Sequence, residues 1–551
     1  MTQDVGLDLP VAAQLSRRAR QQPDTPALIV QHGSAYETVS FKVLDDESSA
    51  LARGFASAGI VKGTRTILLV KPGRAFFAAT FALLKVGAVP VLIDPGLGVR
   101  NLGPCIDQAD PAAFIGSPKA HLARVLFGWG KRTLKTLVTA GTRLGWSGHT
   151  LEDLRAAGSK GPTCDGIASQ PSDVAAILFT SGSTGPPKGA VYTHRVFMKQ
   201  VEVLREIYGI RPGEIDLATF PLFALFGPAL GMTALVPDMD FTRPAQVRPE
   251  KLVAAVREWK ATHMFGSPAL LDTLGRYGET SGVILPSLRR VICAGAPVRP
   301  AVLYRMTKML SPFTQVFTPY GATEALPVAS IGSNEILGET AAHTAQGQGI
   351  CVGQPVGGIE TAILKITDEP VAEWSEVLKL PLGEIGEIAV RGGVVTKEYF
   401  NRPEQTILAK ISTSESGSVW HRMGDVGYFD AKGRLWMCGR KSHRVVTGKE
   451  TLFTIPVEGI FNTHPKVKRT ALVGIGPRGQ QRPVLCVELE PSCCGRDEEA
   501  LVRHELLDLG TRFPHTLSIK HILFPPTFPV DIRHNAKIFR EKLAAWAEGK
   551  I

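Results

Sequence analysis

Phe179-Thr180-Ser181-Gly182-Ser183-Thr184-Gly185-Pro186-Pro187-Lys188-Gly189 is the stretch that decides how this 551-residue chain is read. It follows an apolar run over residues 174–178, which reads as a buried strand. Gly182, Gly185 and Gly189 let the backbone turn tightly and approach a ligand closely. Thr180, Ser181, Ser183 and Thr184 supply hydroxyls, and Lys188 supplies an ammonium. Backbone N–H groups, hydroxyls and one cation are what polyphosphate oxygens need around them. The usual nucleotide P-loop requires Gly, four residues, then Gly-Lys-Ser/Thr. Here Pro187 precedes Lys188 and Gly189 follows it, so the loop is of another kind.

On either side of the loop, helical and strand patterns alternate, which predicts layered α/β architecture. Phe197, Val201, Leu204 and Tyr208 recur at helical spacing, with Thr193 as N-cap. Strands are expected over residues 291–293 and 388–390, and helices over 249–259 and 301–309. The polar, glycine-containing residues 340–349 read as a mobile loop. A chain of this length exceeds one hydrophobic core. The expected fold is α/β, with a large multi-layer N-terminal domain of mixed β-sheets and helices over residues 1–439. Residues 440–551 form a small α+β C-terminal domain, with strands over 471–475 and 484–489 and a last helix over 535–546.

The net charge of +11, from 62 Lys+Arg against 51 Asp+Glu, suits anionic ligands such as ATP and also an acidic membrane surface. The cations are spread along the chain without a dense basic tail, so no nucleic-acid partner is expected. The eight cysteines form no CxxC pair, which argues against zinc and for reduced thiols. With no signal peptide at the N-terminus, a cytoplasmic location is expected. Residues 217–237 carry no charge and are long enough to span a bilayer. Pro221, Gly227, Pro228 and Gly231 interrupt them, so they read as buried core and as a wall for a greasy substrate. Residues 75–93 contain Lys85, Gly87 and Pro90, and read as a helix followed by a buried strand. No transmembrane segment is therefore expected.

Tyr320-Gly321-Ala322-Thr323-Glu324 reads as a turn presenting an aromatic, a hydroxyl and a carboxylate together. A carboxylate beside phosphates suits Mg²⁺. Further along stand Gly295-Ala296-Pro297, Gly424-Asp425, Arg440, Asn401-Arg402-Pro403-Glu404, and a C-terminal Arg533-His534-Asn535-Ala536-Lys537.

In order and spacing these segments resemble the adenylate-forming enzymes: acyl-CoA synthetases, luciferases and peptide-synthetase adenylation domains. The resemblance implies that a carboxylic acid is joined to AMP with release of pyrophosphate, using ATP and Mg²⁺. It implies that residues 180–185 and Lys188 hold the phosphates, and that Gly295, Ala296, Pro297, Tyr320 and Gly321 hold the adenine. Asp425 and Arg440 then contact the ribose, Thr323 the α-phosphate, and Glu324 and Thr184 the metal. Lys537, preceded by Ala536 where the family usually has Gly, is implied to swing in on a mobile C-terminal lid and hold the reacting carboxylate.

Two departures narrow this. Acyl-CoA synthetases usually carry a histidine after Pro-Leu-Phe, whereas Pro221-Leu222-Phe223 is followed by Ala224-Leu225-Phe226. The loop after the hinge normally contains Ile-Lys; here it reads Val445-Val446-Thr447-Gly448, in a region that otherwise helps to make thioesters. These strings, with Ala120-His121-Leu122-Ala123-Arg124-Val125-Leu126-Phe127-Gly128-Trp129 and Arg440-Lys441-Ser442-His443-Arg444, resemble the β-lactone-forming branch of bacterial long-chain olefin biosynthesis. That resemblance implies a long-chain 2-alkyl-3-hydroxy fatty acid whose own hydroxyl displaces AMP. It also implies thiolase-like, ketoreductase and β-lactone decarboxylase partners. The alternative is an AMP-forming long-chain acyl-CoA or acyl-AMP ligase; a non-catalytic nucleotide-binding scaffold is a third reading. His194, near the loop, reads as a packed residue.

Overall fold

The computed structural model describes residues 10–33, 35–161, 169–180, 186–415, 417–493, 495–530 and 538–551. The expected buried strand is Val174–Phe179. It pairs antiparallel with Gly189–Thr193, setting Phe179 opposite Gly189 and bringing the two ends of the intervening loop together. A Cβ on Gly189 would lie 2.7 Å from the Ile177 side chain, so this crossing needs glycine. Thr193 then caps the helix His194–Tyr208, its Oγ1 accepting from the Val196 N–H.

Val174–Phe179 belongs to a seven-stranded sheet in the order His149–Thr150, Thr136–Thr139, Ala113–Gly116, Arg65–Leu69, Val89–Leu92, Val174–Phe179, Gly189–Thr193, parallel except at the last pair. A second, longer sheet runs parallel through Pro26–His32, Thr233–Val236, Ile215–Ala218, His263–Gly266, Arg290–Cys293 and Gln315–Ala322. From Gln315–Ala322 it turns antiparallel, continuing through Ala325–Gly332, Ile350–Pro355, Leu435–Arg440, Val419–Phe429, Gly386–Gly392 and Ile359–Leu364.

Helices separate and flank the sheets. Phe41–Ser57 and Arg74–Lys85 pack between them, with Phe55, Phe77 and Phe81 touching a core that holds Leu68 and Ile115 of one sheet and Leu28 and Val236 of the other. On the outer face of the seven-stranded sheet, Ile67, Val91, Phe114 and Ile177 meet the helix Val99–Ala109. On the far face of the long sheet, Leu217, Met264, Val291 and Val316 meet Pro249–Trp259, Pro268–Ser281 and Pro300–Lys308. Parallel sheets covered on both faces account for the continuous apolar runs in their strands.

Lys85 shows how a charge fits such a run. Its ammonium is fully buried and donates to Asp45 Oδ1 (2.6 Å), the Asp45 carbonyl (3.0 Å) and Ser49 Oγ (2.8 Å). The apolar stretch is thus a packed helix, Arg74–Lys85, and a strand, Val89–Leu92. Among the described residues no helix is long and apolar enough to cross a membrane.

Toward the C-terminus, Val467–Ile475 pairs antiparallel with Arg482–Leu489, which pairs parallel with His521–Leu523. Leu472, Leu485 and Val487 face Thr454–Phe461 and Arg496–Gly510; Ala471, Val473 and Val484 face the last helix, Arg540–Glu548. This is the alternation of a strand buried on both faces. Arg540 ties that helix down through Glu458, at 2.7 Å and 2.9 Å.

Two expectations are corrected. Residues 340–349 are not simply a loop: a wide helical turn, Ile336–Thr340, runs into the helix Ala341–Ala345. Arg434 fixes this segment by reaching Glu335 (3.0 Å) and Glu339 (3.1 Å). Hydrogen bonds from Arg434 and Lys432 hold the Glu339 carboxyl down at about 2. The last helix begins at Arg540 rather than 535, and residues 535–537 lie outside the described residues.

Candidate active site

The segments that leave the carboxyl ends of parallel strands in both sheets enclose one cavity of about 1710 Å³. Its lining follows Ile215–Ala218 with Thr219, His263–Gly266 with Ser267, Arg290–Cys293 with Gly295, Ala113–Gly116 with Ser117, and Val174–Phe179 with Thr180. Ligands in open α/β sheets bind at this end of the strands.

One arm is apolar. Phe220, Leu222, Phe223, Leu225 and Phe226 line it, so the uncharged residues 217–237 do form a wall. Phe76, Leu84, Leu92, Phe197 and Phe241 line the same cavity, and Phe197 meets Phe226 edge to face at 5.8 Å. The wall is held by ring contacts: Phe220 stacks on Phe265 at 5.2 Å, Phe223 on Phe265 at 5.2 Å and on His263 at 5.3 Å. Behind it, the buried His263 Nδ1 lies 2.6 Å from Asp216 Oδ1.

The other end is polar. The Thr180 N–H donates to the Lys188 carbonyl (2.9 Å), and the Lys188 N–H donates to Thr180 Oγ1 (3.2 Å), closing the neck of the glycine-rich loop against the cavity. Ser181, Gly182, Ser183, Thr184 and Gly185 lie outside the described residues. The Lys188 ammonium sits 5.0 Å from the centre of the Tyr399 ring. Tyr399 donates its hydroxyl to Glu324 Oε1 (2.5 Å), and Tyr192 donates to the Thr323 carbonyl (2.5 Å). The Glu324 carbonyl accepts from the Thr396 N–H (2.9 Å), so the Thr323-Glu324 turn is held on both sides. A Cβ on Gly321 would lie 2.6 Å from the Ala325 carbonyl oxygen, so this wall also requires glycine.

Asp425 and Arg440 face one another across adjacent strands and form an ion pair at 3.1 Å. Asp425 is buried, and its Oδ2 accepts from the Tyr320 hydroxyl at 2.8 Å. The Asp425 charge pushes the Arg440 guanidinium up; burial, with Asp425 beside it, pushes the Tyr320 phenol well up.

The structure therefore brings Thr180, Lys188, Gly295, Gly321, Thr323, Glu324 and Arg440 to one cavity. Tyr320 and Asp425 stand behind that lining, linked to it through Arg440; Ala296 and Pro297 do not contribute to the wall. Lys537 lies outside the described residues. His194 is buried, as expected, and is not part of the wall.

Sequence reading missed Tyr192, Tyr399, Lys410 and His421. Lys410 and His421 oppose each other across neighbouring strands. The Lys410 ammonium is buried and donates to the Thr396 carbonyl. Burial lowers its pKa to about 7, with the Glu324 charge opposing the shift. Burial first, and Lys410 second, hold His421 well below its ordinary value, so it is a neutral imidazole on the cavity wall. No motif or periodicity marks these residues; only the strand pairing places them.

The chain belongs to the AMP-binding enzyme family, which it matches over residues 15–400. It is 49% identical, over 98% of both chains, to an olefin β-lactone synthetase of Stenotrophomonas maltophilia. It is 50% identical to one of Xanthomonas campestris pv. campestris, over 98% of this chain and 97% of that one. Among solved structures, the amide bond synthetase McbA of Marinactinospora thermotolerans is similar with a TM-score of 0.78 and 22% identity, over 97% of this chain and 99% of that one. The o-succinylbenzoate-CoA synthetase MenE of Bacillus subtilis, in complex with its acyl-adenylate intermediate, gives 0.75 and 20%, over 97% and 98%. The structural likenesses establish the adenylate-forming fold, with its large multi-sheet α/β portion.

Proposed function

We propose that this enzyme adenylates a long-chain 2-alkyl-3-hydroxy fatty acid with ATP and then closes the acyl-adenylate to a β-lactone, releasing AMP. The observation that carries the reading is the continuity of one cavity from the cation-bearing Lys188–Glu324–Arg440 end to the phenylalanine-lined arm. The half-identical, full-length olefin β-lactone synthetases support the choice of product.

In the first step a carboxylate oxygen bonds to the α-phosphorus and pyrophosphate leaves. Lys188 and the glycine-rich loop hold the phosphates, and Arg440, fixed by Asp425 behind the lining, holds the ribose. In the second step the substrate's β-oxygen bonds to the carbonyl carbon, the bond to the AMP oxygen breaks, and the hydroxyl proton passes to solvent or departing phosphate. Because nucleophile and electrophile share one molecule, no bimolecular encounter is needed. The apolar arm keeps out the water that would otherwise hydrolyse the adenylate.

Mg²⁺ fits the site as a cation bound by one carboxylate plus substrate phosphates, since Glu324 offers a hard oxygen donor at the cavity wall. Glu324, with Thr184, is the proposed metal contact, and the ion would neutralise phosphate charge. Tyr399 orients Glu324. We assign residues 440–551 to a mobile lid that delivers Lys537 to the carboxylate, and residues 1–439 to the nucleotide- and acid-binding body.

The test is incubation of the chain with a long-chain 2-alkyl-3-hydroxy acid, ATP and Mg²⁺ without CoA. The expected product is lighter than the acid by one water, with AMP and pyrophosphate in equal amounts. Thioester formed on adding CoA, with no product lighter by one water in its absence, would establish a CoA ligase instead.

A further inference from the structure

The helix Pro118–Phe127 carries its large apolar residues on the outside of the molecule. Leu122, Val125, Leu126 and Phe127 are 53%, 51%, 70% and 59% exposed. The first three share one face through their spacing, whereas a surface helix ordinarily turns such a stripe toward the core. The inner side of this helix is already occupied: Ala120 and Ala123 line the cavity, as does Trp129, on which Phe127 stacks at 5.9 Å. Val99 and Lys119 both line the cavity and are exposed, so the cavity reaches the surface beside this helix.

Along the chain, the charge of this segment is of one sign. Residues 111–151 contain Lys119, Arg124, Lys131, Arg132, Lys135 and Arg143 and no Asp or Glu. Lys119, Lys131, Arg132 and Lys135 are exposed. An apolar helix face rimmed by cations is the pattern that lies in the headgroup layer of an acidic bilayer. A second copy of the chain placed here would set these cations against each other.

We propose that Pro118–Phe127 seats the enzyme on an anionic lipid surface, placing the cavity entrance at the boundary from which a long-chain acid is drawn. The nature of that acid rests on the proposed function; the docking itself does not. Flotation of the full chain with phosphatidylcholine vesicles, and with vesicles of equal phosphatidylcholine and phosphatidylglycerol, tests it without turnover. Binding to the mixed vesicles is expected to be about tenfold or more tighter and to weaken with salt. The double variant Leu126→Ser with Phe127→Ser is expected to lose about tenfold or more of that binding. It should keep wild-type pyrophosphate release from detergent-dispersed acid. Lys131→Gln with Arg132→Gln is expected to weaken binding to the mixed vesicles only. Equal or absent binding of the wild type to the two vesicles would overturn the proposal, as would unchanged binding of the serine variant. So would a concentration-dependent dimer of the wild type that the serine variant loses, since the face would then be a self-contact. If vesicle binding stands while no acid yields pyrophosphate, the proposed reaction fails and the docking surface does not.

Discussion

Lys410 is a cation held where water cannot solvate it, and its consequences are measurable. Its folded pKa of about 7 lies below the ordinary 10.5. Between these values the unfolded chain binds more protons than the folded one, so this group makes stability rise with pH through that window. Below about pH 7 the full penalty of keeping the amine charged is present, on the order of 5 kcal/mol. Lys410→Met should therefore stabilise the protein at pH 7, by a few kcal/mol once the lost bond to Thr396 is deducted. The gain should vanish as pH approaches 10.5, read from unfolding midpoints of both proteins across pH. Tyr320→Phe tests the neighbouring network from the other direction. It leaves Asp425 without its hydroxyl donor, and should cost about 1–3 kcal/mol of stability in the same assay. These residues differ in legibility. Thr323, Glu324, Asp425 and Arg440 stand in recognisable strings and were found. Tyr192, Tyr399, Lys410 and His421 gain meaning only when distant strands pair, and one sequence does not display that.

Among the elements, those governed by local rules were readable. Pro249–Trp259 was expected over those same residues, because proline starts it and its apolar residues keep helical spacing. The helix His194–Tyr208 was read from its Thr193 cap, and Thr193→Ala should cost about 1 kcal/mol, measured by thermal unfolding. The helix at Ala341–Ala345 was not readable, because its anchor is Arg434, far along the chain and tied to Glu335 and Glu339. Gly347 and Gly349, just beyond it, with the polar residues around them locally favour a loop. The phenylalanine wall was readable as uncharged and buried, but not as an aromatic stack. Phe223→Ala removes a ring packed on both His263 and Phe265 and should cost about 3–5 kcal/mol. Steady-state kinetics on a series of acids should show the accompanying rise in KM growing with chain length.

For the whole molecule, the multi-layer α/β architecture followed from alternating patterns, whereas the meeting of two sheets around one cavity did not, since neither sheet alone encloses it. The proposed division at residue 440 predicts that catalysis and nucleotide binding can be uncoupled. Lys537→Ala should retain ATP binding by calorimetry while pyrophosphate release falls by about 10²–10³. Wild-type release from that variant would remove the lysine from its assigned role. The strand-end placement of the cavity has a further consequence. Its apolar wall hangs from Ile215–Ala218, while the Thr323-Glu324 turn hangs from Gln315–Ala322, two strands that the sheet joins through the paired backbones of His263–Gly266 and Arg290–Cys293. Backbone pairing is indifferent to the side chains in the connecting segments. The acid-shaping segment can thus be exchanged when its ring partners His263 and Phe265 change with it, giving this scaffold a route to new acyl groups without rebuilding its nucleotide end.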